Sequence, residues 1–135
     1  MEKRSLENKI SIWLEISRDD IETAKACFET KRYLWMMVIC QQAIEKVLKA
    51  LYINKNQITP PKAHDLVFLA EKIELLKECS NETLKLFDIL TEYYFGTRYP
   101  DKRIKLGKEC SSEFAEIILN QTKEVLTWLL EKLKK

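Results

Sequence analysis

The sequence predicts an all-α protein, an up-and-down antiparallel bundle of about five helices. Three observations carry that expectation. Apolar residues recur at three- and four-residue steps through most of the chain, the period of a helix with one buried face. Glycine and proline are scarce, 2 and 3 in 135 residues, so few of the residues that hairpin turns and barrel corners demand are available. Leu, Ile, Glu and Lys are abundant and favour helix over sheet. The length suits a single helical domain over residues 1–135 with its own core.

The first helix is expected over about Leu6 to Glu29. Ile10, Trp13, Leu14, Ser17, Ile21, Ala24 and Phe28 make one stripe, and Arg18, Asp19, Asp20, Glu22 and Lys25 fill other positions. After a break at residues 30–32, the most hydrophobic segment runs from Tyr33 to about Asn54. Its stripe of Leu34, Met37, Val38, Gln41, Ile44, Leu48, Leu51 and Tyr52 is widened by apolar residues around most of the circumference. A helix apolar on most sides sits centrally in its domain or is covered by a partner subunit. Thr59-Pro60-Pro61 then forces an extended loop. A third helix starts near His64-Asp65, with Leu66, Leu69, Ala70, Ile73 and Leu76 as its stripe and Asp65 as its N-cap. Ser80-Asn81 opens a fourth, which Gly96 is expected to terminate. Residues 97–108, with Pro100, Gly107 and several basic side chains, read as the least helical stretch. The last helix is expected from Ser111-Ser112, with Phe114, Ile117, Ile118, Gln121, Val125, Trp128, Leu129 and Leu133 on one face.

Composition narrows the function classes. The net charge of +2 is nearly balanced and lacks the basic excess of a DNA-coating protein, while leaving room for a local basic patch. Cys27, Cys40, Cys79 and Cys110 are widely spaced with no CxxC pair, so they are expected to be plain buried thiols rather than a zinc cage or redox pair. The first residues carry charge without an apolar signal segment, and no apolar run approaches the ~20 residues that span a bilayer. The expected compartment is the cytoplasm, without membrane insertion. Gly-rich phosphate loops, HExxH and nucleophile elbows are missing, and neither cofactor nor metal is expected.

Three constellations can carry chemistry. Gln42, Glu45, Lys46 and Lys49 fall at i, i+3, i+4 and i+7 and form a polar ridge on an otherwise apolar helix. That ridge is either a solvated face with a Glu45–Lys49 ion pair or a polar seam lining a groove or interface. The stretch from Tyr93 to Asp101, followed by Lys102, Arg103, Lys105 and Lys108, interleaves aromatic and basic side chains. Such residues stack on bases and neutralise phosphates. The plainer reading is a helix C-terminus whose cations offset the dipole, with Asp101 paired to Arg98 or Arg103. His64, the only histidine, excludes a His-rich metal site or a His pair within one chain, and its expected role is to hold the Pro-Pro loop.

In this order, "QQAIEKVLKALY", "PPKAHDLVFLAEKI" and "YYFGTRYPD" closely resemble the HEPN family of prokaryotic helical domains, and "WLEISRDDIETAKACFETKRY" resembles its opening helix. The resemblance covers about Trp13 to Asp101. It implies a helical bundle, commonly a homodimer, and two family roles. Many members pair with a minimal nucleotidyltransferase in toxin–antitoxin-type systems. Many others are metal-independent ribonucleases that carry an Arg and a catalytic His with about four to six residues between them.

Counting on from Arg98, the His slots hold Arg103, Ile104 and Lys105, and counting back from His64, the Arg slots hold Gln57, Ile58 and Thr59. The nuclease motif is therefore absent from the sequence, and no catalytic residue is assigned. The "RYPD" form resembles the branch that pairs with nucleotidyltransferases, in which Arg98, Tyr99 and Asp101 would bind rather than react, with Lys102 and Arg103 beside them. The reading that follows is a non-catalytic HEPN homodimer that binds nucleotide or RNA and pairs with a nucleotidyltransferase. Its rivals are a divergent ribonuclease using Arg98 with Asp101, Tyr99 or His64, and a purely structural dimerisation module.

Overall fold

Residues 3–134 are described by a computed structural model. Two long helices, α1 (Lys3–Glu29) and α2 (Tyr33–Asn56), make the most extensive helix–helix contact. Lys31 takes φ 62° in the turn between them, where the Arg32 N–H donates to Cys27 O at 2.7 Å. The chain reverses there and the helices run antiparallel. Phe28 meets Tyr33 near the turn, Ser17 Oγ donates to Ala43 O at 2.8 Å, and Trp13 lies beside Lys49 farther along. Ser17, Ala24 and Ala43 are all buried, and their small side chains let the two backbones approach.

Helix α2 is central, as its hydrophobic circumference predicts: it contacts every other α-helix. Met36, Ile44, Leu48, Phe87, Leu90 and Leu129 are among the fully buried side chains of the resulting core. The helix ends two residues later than its stripe suggested, at Asn56. Gln57 caps it at φ 59°, with its N–H donating to Ile53 O at 2.8 Å and its side-chain amide to Asn54 O at 2.9 Å. The side-chain bond helps offset the cost of a non-glycine residue in the left-handed region.

Asp65 caps α3 (Leu66–Lys72) by accepting from the Phe68 N–H at 3.1 Å. The expected stripe through Leu76 is interrupted. Glu74 at φ 57° turns the chain, and Leu76 falls in a 3₁₀ turn (Leu76–Glu78). Lys55 fixes this reversal, donating to Ile73 O at 3.2 Å and to the Glu74 carboxylate at 3.0 Å. Helix α4 (Asn81–Gly96) starts where expected, with Ser80 Oγ accepting from Thr83 N–H. Helix α6 (Ser112–Leu133) starts with Ser111 Oγ accepting from Phe114 N–H.

The clear departure lies between them. Residues 97–108 were expected to be irregular, yet Pro100–Glu109 forms α5, which brings the α-helices among the described residues to six. Pro100 stands in the first turn, where its missing N–H has no intrahelical partner to lose, and the Arg103 N–H donates to Tyr99 O at 2.8 Å. Gly96 is not a left-handed terminator either: the described glycines have no positive φ, and α4 is capped by Thr97. A Cβ at Gly96 would lie 2.6 Å from Leu106 Cδ1 and 3.2 Å from Lys102 Cγ, so the missing side chain lets α5 fold back closely on α4. Among the described residues, no helix is long and apolar enough to cross a membrane.

Gly96 and Gly107 therefore separate two effects of one substitution. Gly107→Ala meets open space and should stabilise by about 0.5–1 kcal/mol through helix propensity. Gly96→Ala should instead destabilise by about 1 kcal/mol, because overpacking against buried Leu106 exceeds that gain. Urea unfolding of the two variants reads the signs directly.

Candidate functional site

The polar ridge on α2 divides: Gln42 and Lys46 are half-buried, and the Glu45–Lys49 ion pair forms at 3.0 Å. Glu45 and Lys49 are buried, not solvated. Burial pushes the Glu45 carboxyl up, but hydrogen bonds from Gln41, His64 and Lys49 outweigh that and hold its pKa below the ordinary carboxylate value. The two oxygens face different partners. Oε1 takes Gln41 Nε2 at 2.9 Å and His64 Nδ1 at 2.8 Å, and Oε2 takes Lys49 Nζ at 3.0 Å, with Lys46 Nζ at 3.9 Å.

Gln41, which the periodicity placed within the apolar stripe, is fully buried and organises one side of this cluster. Both its amide hydrogens are used, one on Glu45 and the other on His64 O at 2.7 Å. Both partners are acceptors, which fixes the amide's orientation and leaves its own oxygen without a protein donor. Asp20 on α1 has a similarly unpartnered Oδ2; burial raises its pKa, and the nearby charge of Lys46 opposes that rise.

His64 is held from both sides. Its carbonyl accepts from Gln41, and two residues on the Leu66 N–H donates to Thr91 Oγ1 of α4 at 3.2 Å. Because an ionised carboxylate only accepts, Nδ1 must carry the hydrogen toward Glu45. In the neutral ring Nε2 then keeps its lone pair, and it has no hydrogen-bond partner among the described residues. The side chain is 39% exposed, so a ligand can reach it.

The His64 ring lies 5.0 Å from that of Tyr94, and Arg98 is on the same tyrosine. The guanidinium Cζ is 4.7 Å from the Tyr94 ring centroid and Nη2 donates to the Tyr94 hydroxyl at 2.7 Å. Phe95 flanks both groups, 6.4 Å from His64 and 6.0 Å from Arg98. Two residues 34 positions apart in the chain are thus brought to one aromatic platform, an oriented imidazole beside a guanidinium with most of its donors uncommitted.

The other candidates separate. Arg103 lies over Trp35, Cζ 4.9 Å from the ring centroid, and ties α5 to the start of α2. Lys102 packs its stem near Gly96. Tyr99, 64% exposed, and Asp101 project at the start of α5, and Asp101 pairs with neither Arg98 nor Arg103 among the described residues. Gln42 is half-buried and takes no part in the Glu45 network. The cysteines are free; Cys40 and Cys110 are buried, whereas Cys27 and Cys79 are only half-buried, and burial pushes the Cys40 thiol up to about 12. Among the described residues no group of three or more His, Cys, Asp or Glu side chains converges as a metal site.

Fold and site together define a six-helix protein whose central helix carries a buried ionic cluster beneath an Arg–aromatic–His surface. A HEPN domain family model matches residues 10–133, and the chain belongs to that family. A crystal structure of TT1696 from Thermus thermophilus superposes with a TM-score of 0.77 at 24% identity, covering 93% of this chain and 98% of that one, a likeness of fold. Comparison with curated proteins finds no match.

Removing Glu45 strands a buried cation. Glu45→Ala should lose about 3 kcal/mol in denaturant unfolding, and Glu45→Leu with Lys49→Met should recover most of it. The lowered Glu45 pKa also fixes the sign of a pH effect. Its stabilisation is complete above the ordinary value of 4.5 and is lost as pH falls through the folded value. Acidification from about pH 6 to about pH 3 should therefore cost the wild type more stability than Glu45→Gln.

Proposed function

We propose that this chain is a HEPN-family binding protein that takes the phosphate of a nucleotide or RNA at Arg98. It works in the cytoplasm as a single-domain homodimer and pairs with a minimal nucleotidyltransferase in a toxin–antitoxin-type system. The observation that carries the binding reading is the convergence of Arg98, Phe95 and His64 around the buried Tyr94 ring, where all three remain accessible. Arg98 uses one donor on the Tyr94 hydroxyl and retains others for a phosphate, while exposed Phe95 and Tyr99 offer faces for a base. The RYPD form supports the nucleotidyltransferase pairing.

A second reading is favoured by one specific observation, the Glu45-oriented Nδ1 and unpartnered Nε2 of His64 beside Arg98. In a ribonuclease, Nε2 would take the proton of a 2′-hydroxyl. The 2′-oxygen would bond to phosphorus as the 5′-oxygen leaves and takes a proton from water, giving a 2′,3′-cyclic phosphate, and Arg98 would bind the charged phosphoryl oxygens; the imidazolium would return its proton to the hydroxide left behind.

Titration with a fluorescent RNA oligonucleotide and with mononucleotides tests the binding reading. Arg98→Ala should weaken binding by about ten-fold or more, and absence of binding by the wild type ends that reading. Incubation with RNA separates the second: cleavage abolished by His64→Asn and by Arg98→Ala establishes a nuclease, and intact RNA removes it.

A further inference from the structure

A second site lies on the other side of the Glu45 carboxylate. Between α1 and the loop at residues 59–62 is an open-mouthed cavity of about 350 Å³, near the lower end of the roughly 300–1,000 Å³ typical of small-molecule sites. Ile12, Trp13, Pro60 and Pro61 supply its flat and apolar surfaces. Ile12 is 56% exposed, an aliphatic side chain that the core leaves uncovered.

Three lysines, Lys9, Lys49 and Lys62, line the same cavity, and no acidic residue does. They are not equivalent. Lys49 is buried and committed to Glu45 Oε2 at 3.0 Å, with its Nζ 5.6 Å from the Trp13 ring centroid. Lys9 and Lys62 have no ion-pair partner among the described residues, so the uncompensated positive charge of the cavity is theirs.

The two halves of this lining ask for different parts of one ligand. An indole and two pyrrolidine rings pack well against a flat, apolar body. A bare phosphate would lose its hydration there for few donors, whereas an anion on an apolar body needs only to reach the two lysines. We propose that this cavity binds an aromatic acid, one or two fused rings bearing a single carboxylate or sulfonate. The rings lie among Trp13, Ile12 and the prolines, and the anion meets Lys9 and Lys62. The site is separate from the Arg98 surface and does not depend on the reading of that surface.

Calorimetric titration of the full chain with 2-naphthoate, 2-naphthalenemethanol and inorganic phosphate tests the assignment. The naphthoate should bind, with at least about ten-fold loss in Lys9→Glu/Lys62→Glu and a similar loss for the uncharged alcohol. Phosphate should not compete, and Arg98→Ala should bind the naphthoate as the wild type does. Both charge reversals lie on accessible side chains, and circular dichroism checks that the variant is folded. Equal affinity for alcohol and naphthoate, an unaffected charge-reversed variant, or competition by phosphate overturns the proposal. Absence of naphthoate binding overturns it too; if Ile12→Asp then converts a dimer to a monomer in sedimentation, a second copy of the chain is the occupant.

Discussion

Everything distinctive about this molecule depends on one ionised carboxylate placed inside its central helix. Glu45 has little contact with water, and burying such a group is worth several kcal/mol of penalty unless donors surround it. Gln41 and Lys49 on its own helix and His64 on the following loop supply those donors. Because Gln41 also holds the His64 backbone, the cluster pins an otherwise extended Pro-Pro loop onto α2. The ionic seam therefore acts as a registry device: a rotation of α2 or a slip of the loop would leave a charge without its partner.

That device has a functional side. A carboxylate bonded to Nδ1 fixes the tautomer and direction of an imidazole, so the packing that stabilises Glu45 also prepares His64. The same carboxylate engages Lys49, which lines the cavity beside Trp13, and neutralises its charge there. One buried acid thus stands between two surfaces of different character. The first is an aromatic platform with a guanidinium, formed by Tyr94, Phe95 and Arg98 beside His64. The second is an apolar recess between α1 and the Pro-Pro loop, with the ammonium groups of Lys9 and Lys62 at its lining.

The short helix α5 plays a quieter part. Its return onto α4 requires the bare backbone of Gly96, and Arg103 over Trp35 anchors it to α2. This arrangement leaves Arg98 at the bend, free of Asp101 and directed to Tyr94. The local counterion that sequence spacing suggested does not form. An aromatic ring four residues back in the preceding helix takes the guanidinium instead, with one donor on the Tyr94 hydroxyl.

Most of the fold was legible in the sequence because its causes are local. Periodic apolar residues mark five of the six helices, and Ser80, Asp65 and Ser111 cap helices within three residues of themselves. The ordered motifs around Glu45, His64 and Arg98 also sufficed for the family. Helix α5 was not legible: Pro100 and Gly107 punctuate a short, mostly polar segment with no apolar stripe, and its buried Leu106 finds its place only against Gly96. The ridge at Gln42 to Lys49 left two readings open, since periodicity puts side chains on a face without saying what covers that face. Above all, linear counting from Arg98 or from His64 found no pair. Tertiary structure alone decided that the two share Tyr94, because proximity across 34 residues comes from packing of the loop and α4 against α2 and not from spacing along the chain.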